Sequence, residues 1–477
     1  MLVSAAHKSS GKTAVSVGLA AALTARGQVV QTFKKGPDYI DPMWLALASR
    51  RPCYNLDFNT QTRDEIRDTF ARYAAVSGVA VIEGNKGLHD GVDLAGSDST
   101  AALAKLLAAP TILVIDAEGM TRGVAPLLRG YQAFDPAVDI AGVILNRVGT
   151  PRQEGKLRAA VERYTAIPVL GAVPHSPSLM VLERHLGLTT PSEMSDRHVK
   201  IARLAAAVRD NVDLARMLEI AGRADEFVAG PEAPREQTHQ GDITIAVARD
   251  AAFSFYYPDD LQALERAGAR LDFFSPLGDG RLPRADALFI GGGFPETHMA
   301  ALEANTAMRG EIRAAARAGL PIHAECGGLM YLSRSIAWHG ETRQMAGVVP
   351  AETVMHERPQ GRGLVVLEET GKCRWPKVHN ETEHAAIPAH EFHYAALANL
   401  APGASFAWRV VRGAGIDGKH DGIMIDNVLA SFSHMRDTSR NRWAARFAAF
   451  VRARKGATEA AARVPAARAG RSRRKPH

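Results

Sequence analysis

The 477-residue sequence predicts an α/β protein of two domains, the first a doubly wound parallel sheet built around a phosphate-binding loop. Three observations carry that prediction. Continuous apolar runs, among them residues 79–82, 111–115 and 140–145, alternate with helix-length segments, as parallel strands covered on both faces do. The first apolar run, residues 1–6, breaks into His7-Lys8-Ser9-Ser10-Gly11-Lys12-Thr13 and then into a helix-like stretch at 14–26. A second strand series begins near residue 242 and places Cys326 between a strand and a helix, with Gly327 and Gly328 beside it.

A strand, a small-residue loop and a helix start let free backbone N–H groups, the Lys12 ammonium and the Thr13 hydroxyl converge on a polyphosphate and its Mg²⁺. Ser10 and Gly11 supply the loop of such an ATP site, Lys12 would sit on the β- and γ-phosphates, and Thr13 would reach the metal. Ala6 stands where the pattern G-x-x-x-x-G-K-[ST] has its first glycine, and alanine does not adopt positive φ cheaply. The competing reading of the loop alone is a capped surface helix.

The strand expected at 28–33 leads into Phe33-Lys34-Lys35-Gly36-Pro37-Asp38-Tyr39-Ile40-Asp41-Pro42. Two prolines stiffen this loop, and packing does not explain its two lysines and two aspartates. Residues 79–91 read as an apolar strand ending in Glu83, followed by the glycine-rich Gly84-Asn85-Lys86-Gly87-Leu88-His89-Asp90-Gly91. A carboxylate at the carboxyl end of a parallel strand faces the crevice where such sheets bind ligands, so Glu83 is a candidate Mg²⁺ partner. The alternative is an acid satisfied by local N–H groups. Asn146 ends another strand and fits either an adenine edge or a turn. A helical pattern at 191–217 closes the first domain, expected at 1–221. The polar, Pro- and Gly-bearing stretch 222–241 is read as a linker.

The second domain is expected at 242–452. There Gly291-Gly292-Gly293 follow an apolar strand, so their N–H groups can approach a ligand and hold an oxyanion. Leu320-Pro321-Ile322-His323-Ala324-Glu325-Cys326-Gly327-Gly328 is the thiol counterpart of a nucleophile elbow, and the helix that follows would favour thiolate. A core cysteine is the alternative. A thiol nucleophile needs a base, and His434, at the end of a strand near the C-terminus, is preferred; His393, in His390-Glu391-Phe392-His393-Tyr394, is the rival.

The totals agree. The length is too great for one core. No apolar run approaches the roughly 18–20 residues needed to span a bilayer, and Met1 leads straight into a strand, so neither membrane nor leader is expected. Three scattered cysteines, Cys53, Cys326 and Cys373, point to a reducing cytoplasm and away from a disulfide framework. The net charge of +7 resides in the tail: from Arg452 onward there are nine Lys/Arg and one acid. The tail, taken as 453–477, is expected to be disordered, and no nucleic-acid partner is expected.

Taken together, Ser9–Thr13, Lys35–Pro42, Asn55-Leu56-Asp57, Glu83–Gly91, Arg184–Leu188, Gly291–Glu296, Glu325–Leu332 and His390–Tyr394 resemble the cobyrinic acid a,c-diamide synthase family. These are glutamine-hydrolysing, ATP-dependent amidating enzymes of corrinoid biosynthesis. The resemblance covers nearly the whole chain apart from the tail. It implies a synthetase domain similar to dethiobiotin synthetase and a C-terminal class I glutamine amidotransferase domain. It also implies ATP, Mg²⁺, L-glutamine and a tetrapyrrole polycarboxylate as ligands; a homodimer is the assembly to test, since the sequence does not fix the oligomeric state. By motif, Lys12 and Thr13 would serve ATP and its metal, with Glu83 a metal partner. Lys35, Asp38, Tyr39, Asp41 and Asp90 would position substrate and phosphate. Cys326 and His434 would release ammonia, with Gly292, Gly293 and Gly327 holding the oxyanion. Each acetate, a and c, would pass through an acyl phosphate.

Two departures stand out. His434 is followed by Met435-Arg436 instead of Pro-Glu, so no third member of a Cys–His triad is placed by motif. Asn85-Lys86 replaces apolar residues usual in the family, which keeps another acetate-bearing tetrapyrrole, such as sirohaem or a nickel sirohydrochlorin, in view. A P-loop switch ATPase is the reading from a different class; its signature lysine position is His7 here, and it has no use for a cysteine elbow.

Overall fold

The computed structural model describes residues 1–179, 183–184, 187–224, 241–378 and 386–463. They form two compact units, residues 1–224 with Tyr257–Asp259, and the remainder from residue 241 onward. Of the segment sought as a linker, 225–240 lies outside the described residues, as do His185 and Leu186 of Arg184–Leu188 and the end of the tail, 464–477.

The first unit opens β1 (Leu2–Ala5), α1 (Lys12–Ala25), β2 (Val30–Lys35), α2 (Ile40–Ser49), β3 (Tyr54–Leu56), α3 (Arg63–Ala74) and β4 (Val79–Glu83). It continues α4 (Thr100–Leu106), β5 (Thr111–Asp116), α5 (Val124–Phe134), β6 (Ile140–Val148), α6 (Pro151–Tyr164) and β7 (Val169–Pro174). A two-residue pair, β8 (Glu183–Arg184) and β9 (Gly187–Leu188), precedes α7 (Arg197–Asn211) and α8 (Leu214–Ala221). The seven-stranded sheet runs β3-β2-β4-β1-β5-β6-β7, every pair parallel. Leu2, Phe33, Ile82, Leu113 and Leu145 are buried in one core. Local chemistry sets the boundaries: a reciprocal Thr62–Glu65 capping box starts α3, and Thr150 followed by Pro151 starts α6. The helical pattern expected over 191–217 is realised as two helices, α7 and α8. Val212 leaves the helix to bridge Gly171, and the Asp213 side chain accepts the Arg216 N–H to cap a fresh start.

The second unit begins β10 (Ile243–Ala248), α9 (Pro258–Arg266, its first two residues grouped with the first unit), β11 (Ala269–Phe274), β12 (Ala287–Ile290), α10 (Met299–Ala304), α11 (Thr306–Arg317), β13 (Ile322–Glu325) and α12 (Gly327–Leu332). Then come β14 (Ser335–Trp338), β15 (Glu341–Gln344), β16 (Glu352–Met355), β17 (Gly361–Glu369), β18 (Ile387–His393) and β19 (Ala395–Ala398). The chain ends with β20 (Ser405–Arg412), β21 (His420–Ile425), β22 (Val428–Ser431) and α13 (Trp443–Arg463). The main sheet is mixed, in the order β11-β10-β12-β13-β22-β21-β20-β17-β18, with a smaller sheet β15-β14-β16-β19. Along β13 the side chains alternate: Ile322 and Ala324 join the core with Leu288 and Val428, while His323 lies among Phe289, Trp375, Trp443 and Phe447.

Two features differ from the sequence-based expectation. The antiparallel strands of the second sheet carry polar ends: β17 (GRGLVVLEE) has one apolar run, residues 364–367, between Gly, Arg and Glu. The tail does not begin at 453 as a disordered segment. α13 runs to Arg463, and there Lys455 pairs with Asp286 at 3.0 Å, just beyond the Arg452–Asp242 pair.

Candidate active sites

In the first unit, strand order assembles the site. β1 lies between β4 and β5, and Val3 is level with Glu83; β2 pairs β4 with Lys34 level with Glu83. The carboxyl ends of β1, β2 and β4 therefore bring the loop before α1, Lys34 and Glu83 together. Ser9 and Gly11 take positive φ, 65° and 84°, and Ala6 does not, so the turn is made without the missing glycine. The Ser10 hydroxyl donates to the His7 carbonyl. Gly11 is the N-cap of α1, and Lys12 and Thr13 form its first turn.

Glu83 is fully buried, and its Oε1 accepts from Thr13 Oγ1 at 2.7 Å, Lys34 Nζ at 3.0 Å and Lys12 Nζ at 3.3 Å. Lys34 also reaches Asp41 Oδ2 at 2.5 Å, the Gly84 carbonyl at 3.2 Å and Asp38 Oδ2 at 3.8 Å. Burial works against the Lys34 charge, but Asp41, Glu83 and Asp38 outweigh it and raise its pKa. Burial and the neighbouring Asp41 charge push Asp38 up, whereas for Asp41 the burial is overcome by Lys34 and Lys12, which hold it down.

Lys34, not its neighbour, is the lysine inside this cluster. Successive strand residues point to opposite faces, and Lys35 has its carboxylate at Asp98, 3.8 Å away. Burial lowers the Lys35 pKa, with Asp98 and Asp57 only partly countering it. Strand alternation puts the two lysines on opposite faces but does not say which of them meets the carboxylates. Asp38 Oδ1 accepts the Ile40 and Asp41 N–H groups, so it also shapes the turn into α2, whose N-cap is Tyr39. Asn55 braces the same loop by donating to the Gly36 and Asp38 carbonyls at 2.8 Å each. Asp90 accepts the Gly87 N–H at 2.9 Å and closes its own loop, and Asn146 donates to the Ser10 carbonyl at 2.9 Å, behind the phosphate loop.

In the second unit, β22 runs parallel to β13, with Ser431 level with Glu325. The Ser431 carbonyl accepts the Cys326 N–H at 2.6 Å, so the chain that continues to His434 passes over the cysteine. Cys326 is buried and has φ 49° and ψ −102°, the strained turn of an elbow. The Gly292 backbone is packed so closely that a side chain there would meet His434 Cε1 at 2.6 Å. Its carbonyl accepts from the Ser254 and Phe255 N–H groups.

His434 is held from two sides. Its main chain exchanges hydrogen bonds with His390, whose ring stacks on it with centroids 4.9 Å apart. Asp421, fully buried, accepts the Phe432 and Ser433 N–H groups just upstream. Burial works against the His434 charge, but Cys326 and Glu325 prevail and raise its pKa to about 10. Burial and the His434 charge push His390 well down. The rival His393 turns elsewhere: Nδ1 faces the Ala395 carbonyl at 2.7 Å and the ring stacks on Phe432. Glu325, the residue before the nucleophile, lies with Oε2 3.6 Å from His434 Nδ1. A search for a motif after His434 misses it, because it precedes the cysteine.

Comparison with known proteins agrees with both halves. Residues 244–441 match a CobB/CobQ-like glutamine amidotransferase domain, and residues 2–187 match a CobQ/CobB/MinD/ParA nucleotide binding domain. A cobyrinate a,c-diamide synthase of Magnetococcus marinus is 45% identical over 95% of this chain and 97% of its own. The chain belongs to the cobyrinate a,c-diamide synthase family. Relatives of the same name in Archaeoglobus fulgidus and Methanosarcina acetivorans are 42% and 39% identical over 92% and 91% of this chain, covering 94% and 92% of theirs. The chain is thus a member of a family of glutamine-dependent amidating ligases. Both domain expectations, a P-loop α/β half and an amidotransferase-like α/β half, match these findings.

For this family member the fit of a metal is decided by the oxygens of the first unit. Glu83 Oε2 is buried without a hydrogen-bond partner, and Thr13 Oγ1 stands 2.7 Å from Glu83 Oε1 and 3.4 Å from Asp41 Oδ2. Among the described residues no group of three or more His, Cys, Asp or Glu side chains makes a ready cage. A small set of hard oxygen donors suits Mg²⁺, which takes most of its ligands from water and phosphate. No helix among the described residues is long and apolar enough to cross a membrane.

Proposed function

We propose that this protein uses ATP and glutamine to convert the a- and c-acetate carboxylates of cobyrinic or hydrogenobyrinic acid to amides, in the cytoplasm. One observation carries the reading: a strained, buried Cys326 beside a charged His434, in the same chain as a phosphate loop whose Lys12 and Thr13 converge on Glu83. The names of the relatives supply the substrate class.

In the first unit Lys12 neutralises negative charge on the transferred phosphoryl group as a substrate carboxylate takes it to become an acyl phosphate. Thr13, Asp41 and Glu83 would hold Mg²⁺, which would offset charge on the polyphosphate. Lys34 stays protonated, and its charge holds Asp41 down against the effect of burial.

In the second unit the Cys326 sulfur attacks the carboxamide carbon of glutamine, and the Gly293 and Gly327 N–H groups receive the oxygen charge. The C–N bond breaks as His434 gives its proton to the departing nitrogen, which leaves as ammonia. Neutral His434 then takes a proton from water, which cleaves the thioester to glutamate and restores the thiolate and imidazolium. Ammonia displaces phosphate from the acyl phosphate, and the amide forms with loss of a proton.

The test is incubation with ATP, Mg²⁺ and glutamine against cobyrinic acid, hydrogenobyrinic acid and sirohaem, read by mass. One or two acid-to-amide replacements on the first two support the reading. Replacement on sirohaem alone, or on none, overturns the substrate assignment.

A further inference from the structure

Glu325 sits where strand alternation alone would not put it. A residue adjacent to the nucleophile on a regular strand would point to the opposite face. The positive φ at Cys326 breaks that alternation, and both side chains approach the His434 ring. Glu325 Oε2 lies 3.6 Å from His434 Nδ1, which leaves Nε2 as the ring nitrogen for the thiol.

The other oxygen is pinned. Glu325 Oε1 accepts the Met435 N–H at 3.1 Å and faces His323 Nε2 at 3.3 Å. His323 Nδ1 is buried with no hydrogen-bond partner, so the ring carries its hydrogen on Nε2 and donates it to Glu325. Phe289 stacks on this ring with centroids 5.1 Å apart, and Trp375, Trp443 and Phe447 enclose it. A fully buried histidine in an aromatic box, aimed at a carboxylate two residues along its own strand, fixes that carboxylate in one rotamer.

We infer that Glu325 is the positioning residue of the glutaminase centre, holding and charging His434 through Nδ1 while His323 locks Glu325 from behind. It fills the role left open by the absence of an acid after His434, and it rests on the glutaminase reading above. Burial disfavours the carboxylate charge, yet bonds from His323 and His434 keep Glu325 at about 2. The groups facing the pair are Cys326, the neutral His390 and Arg436, with Tyr256 on the Glu325 side.

Glu325→Gln keeps the shape and removes the charge. The expected result is a fall of about a hundredfold or more in glutamine-dependent kcat, with ammonia-dependent amidation unchanged. The alkaline limb of glutamate release, measured without macrocycle, is expected to move down by about one pH unit or more, because His434 loses the charge that raised it. A kcat within about threefold of wild type, or a fall with the limb unmoved, overturns the inference. If Glu325→Gln also loses ammonia-dependent activity through misfolding, Glu325→Asp decides: it keeps the charge but withdraws it by one methylene. An unmoved limb with kcat lowered about tenfold supports positioning, and wild-type kcat overturns it. A wild type that releases glutamate but amidates no tetrapyrrole defeats the substrate reading and leaves Glu325 standing; one that releases no glutamate defeats both.

Discussion

The two units place their chemistry alike, at the carboxyl ends of neighbouring parallel strands, but prepare it by different means. The first gathers opposite charges: Lys12 and Lys34 are held against Glu83 and Asp41 within 3.3 Å. The second uses backbone strain at Cys326 and an ion pair that keeps His434 charged. A cluster of mutually neutralising groups can exchange partners when a polyphosphate and metal arrive. A nucleophile has to be aimed before its substrate comes, and a strained elbow does that without rearrangement.

The sharpest way to break this division is Cys326→Ala. It should lower glutamine-dependent amidation on the order of a thousandfold or more, while ammonia still supports the reaction. Loss with both nitrogen sources would mean that the units do not divide the chemistry. Lys12→Ala should act in the opposite sense, lowering amidation about a hundredfold or more whichever nitrogen source is used and sparing glutamate release.

Lys34→Met strips the buried cation from Glu83 and Asp41. Breaking such a pair should destabilise the first unit by about 3 kcal/mol in denaturant titration. An unchanged midpoint would show that the cluster is not held by this lysine.

The pH response separates the units further. His434 is raised from its ordinary 6.5 to about 10, so its contribution to stability is complete below pH 6.5 and is lost as pH climbs toward 10. Thermal unfolding of the second unit should fall across that window, and His434→Gln should flatten the fall. The smallest effect is reserved for the rival base. His393→Phe keeps the stack on Phe432 and forfeits the bond to the Ala395 carbonyl and the 3.7 Å contact with Glu391, costing about 1 kcal/mol, with glutaminase turnover close to wild type.

Much of the candidate chemistry was legible because it is local. Gly11-Lys12-Thr13 at a helix start, Glu83 at a strand end and Cys326 between a strand and two glycines are patterns within a few residues. What was not legible depends on partners distant in sequence. Lys34 and Lys35 look alike in the chain, and only pairing with β4 puts Lys34 against Glu83. Asn55 belongs to a segment that carries the family resemblance without a stated role, and the structure shows it bracing the Gly36–Asp38 backbone. Asn146 fits either an adenine edge or a turn in the sequence, and its Nδ2 donates to the Ser10 carbonyl.

The amino-acid sequence by itself determined the two α/β halves, the phosphate loop, the elbow and the family, because apolar periodicity and turn chemistry act over short distances. Tertiary structure alone decided which lysine enters the acidic cluster, that His434 and not His393 faces Cys326, and that Glu325 reaches His434. Those choices follow from strand order and register, which bring residues as far apart as Glu325 and His434 within 3.6 Å.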